Sequence, residues 1–114
     1  MLTRAQILAA DDTRRETVQV PEWGGEVLVS VMSGRQRDLW EASMAGQDPE
    51  TIMRDARAKL VAACVIGEDG VPLFTKDDVD ALSAKSSAAL DRVAKVAQRL
   101  NRIGAKDIED LKGN

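Results

Sequence analysis

Thr17-Val18-Gln19-Val20-Pro21-Glu22-Trp23-Gly24-Gly25-Glu26-Val27-Leu28-Val29-Ser30-Val31 decides the fold. Two β-branched runs of period two flank a short Pro/Gly loop, a strong hairpin signal. Pro21 ends the first strand because it has no N–H to give to a ladder, and Gly24 and Gly25 permit positive φ. Val27 to Met32 is apolar on both faces, so cover on both sides is expected.

Downstream of the hairpin the pattern turns helical. Ser33 and Gln36 have capping-box spacing, and the helix should run over about 34–45, stopped by Gly46, with Leu39, Trp40 and Met44 inward and Arg37 and Asp38 outward. Asp48-Pro49 restarts a helix, aspartate as cap and proline in the first turn. It is expected over about 49–66, with Ile52, Met53, Ala56, Leu60, Ala63 and Cys64 inward and Gly67 as the stop. Glu68-Asp69-Gly70 reads as a turn and Val71 to Phe74 as extended. Thr75 caps a short helix over about 76–84, with Asp77 and Asp78 in its first turn, where the helix dipole favours negative charge. The last long helix is expected over about 88–103, burying Leu90, Val93, Val96, Ala97, Leu100 and Ile103 and ending at Gly104. Upstream, Thr3 and Gln6 form another capping-box pair, and Leu2, Ile7 and Leu8 give a small apolar face. The fold class is α+β, an N-terminal β-hairpin (about 15–32) packed on a predominantly helical body of four to five helices. Residues 1–104 read as a single domain and 105–114 as a short frayed tail.

Composition restricts the chemistry. The 114 residues include no histidine and no tyrosine, and one cysteine. Without an imidazole there is no Ser-His-Asp or Cys-His pair, and no Cys/His zinc site can be assembled within one chain. No intrachain disulfide can form, which fits a reducing compartment. No enzyme activity, cofactor or metal is expected. No run is apolar enough to span a bilayer and the first residues do not resemble a signal peptide, so the expectation is a cytoplasmic protein without membrane attachment.

Three features could carry function. Trp23 at the hairpin tip either offers a rigid apolar contact to a partner or folds back to complete the core. Lys85, Arg92, Lys95, Arg99, Arg102 and Lys106 step along one helical face, either as a cationic ridge or as the solvated side of an amphipathic helix. Asp77, Asp78 and Asp80 lack the glycine and distal glutamate of an EF-hand loop, and capping explains them. The C-terminal helix pair could also be read as helix-turn-helix, a small nucleic-acid-binding regulator. Against that, the first helix is crowded with aspartates, the second opens on Ser86-Ser87-Ala88-Ala89, and the net charge is −3.

The order of motifs resembles the tail assembly chaperones of long-tailed bacteriophages with non-contractile tails. The residues that carry the likeness are Leu2-Thr3-Arg4 with Ile7-Leu8, then Val18-Gln19-Val20-Pro21-Glu22-Trp23-Gly24-Gly25-Glu26-Val27. Leu73-Phe74-Thr75, Asp78-Val79, Leu82, Lys85-Ser86 and Ala89-Leu90-Asp91-Arg92 follow, ending at Arg99-Leu100-Asn101. The resemblance implies a protein that binds and solubilises the tape-measure protein and helps recruit major tail protein in the host cytoplasm. Such a protein is absent from the finished virion and is often also made in a longer, frameshifted form. It implies no catalytic residues. Coating a long client favours many copies, so a homo-oligomer is expected, with the hairpin's outer edge as the exposed pairing edge. The partner-binding residues expected are Trp23, Arg92, Lys95, Arg99 and Arg102. Neither a membrane nor a nucleic acid is expected as a partner.

Overall fold

The computed structural model describes residues 1–103, so the expected tail at 105–114, with Lys106 and the Gly104 stop, lies outside the described residues. Helix α1 (Arg4–Ala9) precedes strands β1 (Arg15–Val20) and β2 (Gly25–Ser30), then helices α2 (Gly34–Ala42), α3 (Pro49–Arg54) and α4 (Ala56–Cys64). Strand β3 (Val65–Ile66) and helices α5 (Val79–Ser83) and α6 (Ser87–Leu100) complete the order. The class is α+β.

β1 and β2 pair antiparallel with Val18 opposite Val27 and Gln19 opposite Glu26. A 3-10 turn, Pro21–Trp23, closes the hairpin, and Gly24 takes φ +74°, which an L side chain rarely adopts. Because side chains alternate, Val18, Val20, Val27 and Val29 share one face, and that face lies on α6. β3 adds to the far side of β2, giving the order β1-β2-β3. The core joins these valines to Trp40, Met44, Ile52, Leu60, Val61, Leu82, Leu90 and Val93.

The caps hold as expected. Ser33 Oγ accepts from the Gln36 N–H at 3.1 Å while Gln36 Oε1 accepts from the Ser33 N–H. Asp48 Oδ1 accepts from Thr51 N–H, and Asp78 closes a capping box on Thr75.

Several expectations are corrected. The helix expected over 49–66 is two helices and a strand. Asp55 leaves helical geometry (φ −117°, ψ 20°) and accepts a 2.7 Å hydrogen bond from Ser83 Oγ. The break re-phases the second half, so Ala58, Val61 and Ala62 are buried there; Met53, ahead of the break and expected inside, is exposed. The segment then ends in β3 because Val65 and Ile66 complete the sheet. Leu39, expected inside, is 66% exposed, and Arg37, expected outside, is half-buried over Trp40, its guanidinium carbon 5.6 Å from the ring centroid. The last helix stops at Leu100, three residues early, and Arg102 takes a left-handed φ of +54°.

Candidate functional site

Two surfaces stand out. The first is where the hairpin tip meets α6. The Pro21–Trp23 turn lies against α6. Trp23 is half-buried: one side packs on the edge of the core and the rest stays open. Arg92, Lys95, Arg99 and Arg102 are all exposed. Arg92 Nε donates to both oxygens of Glu22, at 2.9 and 3.1 Å, and Arg99 Nη2 donates to Glu16. The arginine hydrogen bonds hold the Glu16 and Glu22 carboxyls below the ordinary glutamate range. Two residues of the expected ridge, Arg92 and Arg99, therefore serve as a clasp between α6 and the hairpin, leaving part of each guanidinium in solvent. Arg102 has left the helical register. These carboxylates were not anticipated from the sequence.

The second surface was not foreseen. A groove of about 470 Å³ opens between α2, α4 and the 72–80 segment. Trp40 and Ala62 lie at its base, with Leu39, Phe74 and Val79 along it. Trp40 itself is buried, and its Nε1 has no hydrogen-bond partner among the described residues. Asp55, Asp80, Lys59 and Lys76 rim the opening. Of the apolar run Val71 to Phe74, read from the sequence only as extended, Pro72 and Phe74 line the groove while Val71 and Leu73 are exposed.

Asn101 is buried. Its Oδ1 accepts from Met32 N–H at 2.8 Å, and its Nδ2 donates to Ala97 O at 2.9 Å and reaches Cys64 Sγ at 3.5 Å. Burial pushes the Cys64 thiol up to about 12, so it stays protonated and inert. Among the described residues no group of three or more His, Cys, Asp or Glu could hold a metal ion, and no helix is long and apolar enough to cross a membrane.

The geometry offers contact surfaces, and comparison with known proteins gives the family. The bacteriophage HK97 tail assembly chaperone structure superposes with a TM-score of 0.61 at 23% identity, covering 88% of this chain and 94% of that one. At that identity the likeness concerns the fold. No curated protein sequence matches the chain significantly. The family model described as phage tail assembly chaperone matches residues 3–113. The match runs through hairpin, clasp and groove alike, and the chain belongs to the phage tail assembly chaperone family.

Proposed function

We propose that this chaperone acts on the tape-measure protein, keeping it soluble in the host cytoplasm and helping to recruit major tail protein before the tail tube forms. It acts as a single domain in several copies along the client and leaves before the virion is complete. The family match over residues 3–113 carries the reading. The chemistry agrees with it: a holdase needs apolar contact area and solubility and no catalytic group. Trp23 on its fixed turn supplies a rigid apolar contact, Arg92 supplies a cation at the neighbouring Glu22, and Lys95, Arg99 and Arg102 continue the cationic side toward and past the end of α6. The open edge of β1 is a further surface on which copies can pair.

Co-expression with an insoluble tape-measure protein tests this. Wild-type chain should shift the client into the soluble fraction. Trp23→Ala should reduce the recovered client several-fold. Because Trp23 also touches the core, Lys95→Glu is the companion variant: Lys95 is exposed, so the fold is retained while the cationic side is reversed. Client recovery equal to wild type with both variants would remove this surface from the proposal.

A further inference from the structure

Strand β1 has β2 on one side and no strand on the other among the described residues. The register fixes which of its main-chain groups are left open. Val31 N–H donates to Arg14 O at 2.9 Å, and these two continue the β1–β2 pairing. In an antiparallel ladder the groups that face the neighbour alternate along the strand. Glu16, Val18 and Val20 therefore turn their N–H and C=O toward β2, as Arg14 does. Those of Arg15, Thr17 and Gln19 point out of the sheet edge, and all three residues are exposed, so neither a helix nor a loop covers them.

Edges of this kind are usually blunted by proline, a bulge or charge. From Thr17 to Val20 there is none: no proline, no charged side chain, and an unbroken register with β2. The edge instead complements itself. Antiparallel pairing of β1 with its own copy runs about a two-fold axis, and outward groups must meet outward groups, so the registers are few. An axis at Arg15 or Glu16 sets like charges directly opposite, which is destabilising. An axis at Val18 or Gln19 puts Pro21, which has no N–H to give, opposite Arg15 or Thr17. An axis at Thr17 avoids both. Thr17 then meets the second copy's Thr17, and Arg15 meets the second copy's Gln19, whose amide donates to its own Glu26 at 2.6 Å. Each Arg15 thus faces a neutral residue with a carboxylate behind it, and every outward group of β1 is paired on both copies.

We infer that β1 is a self-pairing edge, joining two copies antiparallel about a two-fold axis at Thr17 into one continuous sheet. The inference rests on the proposed action in several copies and names the contact that joins them in pairs.

A charge swap at residue 17, read by sedimentation of the full chain without client, tests it. Thr17 is exposed on the outer face of the sheet, so Thr17→Lys and Thr17→Glu should keep the wild-type circular-dichroism spectrum. Each alone should weaken self-association at least tenfold, because like charges meet across the axis. Their equimolar mixture should restore it as a heterodimer. Mild oxidation checks the register. Paired Thr17 Cα atoms stand roughly 5.5 Å apart, inside the roughly 4.4–6.8 Å that a disulfide spans. Thr17→Cys should therefore give a covalent dimer, and Gln19→Cys at least tenfold less, since Gln19 faces Arg15 of the second copy. Cys64 is buried and protonated and does not compete. Single variants that associate like wild type, a mixture that does not recover, or equal dimer yields from the two cysteines each overturn the inference. Thr17→Lys that self-associates normally but no longer recovers tape-measure protein assigns the edge to the client and also overturns it. A wild-type chain that pairs as described but cannot hold tape-measure protein soluble supports the edge and sinks the chaperone reading instead.

Discussion

Asn101 ties three elements together. Its side chain receives the Met32 N–H, donates to Ala97 O and meets Cys64, and its main-chain oxygen accepts a 2.9 Å hydrogen bond from Arg37. Arg37 in turn lies over Trp40 and bonds Glu41 at 2.7 Å, so the floor of the groove is positioned from the end of α6. Asn101→Ala strands the buried Met32 N–H. An orphaned buried donor costs about 1–3 kcal/mol, and urea denaturation should show a loss of that size with the m-value unchanged. Gly70 poses a backbone problem. Its φ is +82°, and a Cβ there would stand 3.1 Å from Arg15 Nη2. Gly70→Ala should destabilise by about 1–2 kcal/mol from the left-handed conformation alone. Gly25, at an ordinary φ and with nothing near its Cβ position, should accept alanine with little change in the urea midpoint.

Between elements, the clasp from α6 to the hairpin makes stability depend on pH. Glu16 and Glu22 titrate below the ordinary glutamate range because Arg99 and Arg92 hydrogen-bond their charged forms. A carboxylate with a depressed folded pKa contributes its full stabilisation above the unfolded pKa and loses it as pH falls through the folded one. The urea midpoint should therefore fall on acidification from neutral pH through the carboxylate range. The Glu16→Gln/Glu22→Gln double variant should show a shallower fall, with Asp11 and Asp48, held low by their Thr13 and Thr51 hydrogen bonds, accounting for part of what remains. Both pairs are solvent-exposed, so high salt should narrow the difference between wild type and variant. The elements differ in how legible they are in the sequence. The hairpin and the Thr3, Ser33, Asp48 and Thr75 caps are local, set by residues within a few positions of each other, and could be read directly. The clasp joins residues 70 and 83 positions apart, which no spacing reveals. The break at Asp55 depends on Ser83 and the strand at Val65 on β2, partners supplied by the tertiary fold. Of the candidate site, Trp23 and the cations were legible by type. Their pairing was not, and neither was the groove, because its walls come from three separated segments.

The whole molecule presents its positive charge in a way that bears on what it can bind. The C-terminal helices have the order of a helix-turn-helix, and α6 carries Arg92, Lys95 and Arg99. A reading helix places its first turn against base edges and its cations on phosphates. Here α6 opens on Ser87, Ala88 and Ala89, with Ala89 fully buried. Leu90, Val93 and Ala97 are committed to the core, and α6 is packed between α4 and the sheet. Arg92 and Arg99 already hold carboxylates of the hairpin, so a phosphate would have to displace Glu22 and Glu16 on a chain of net charge −3. Binding through several phosphate contacts would appear as strong affinity at low salt that falls steeply as salt rises. The expected outcome is no retardation of duplex DNA in a gel shift at about 50 mM salt, where that electrostatic contribution is large. A retarded band whose affinity drops with a slope of several ions would show that the hairpin carboxylates yield to phosphate. In that case the clasp would be a gate on a nucleic-acid surface rather than a structural fastening between α6 and the hairpin.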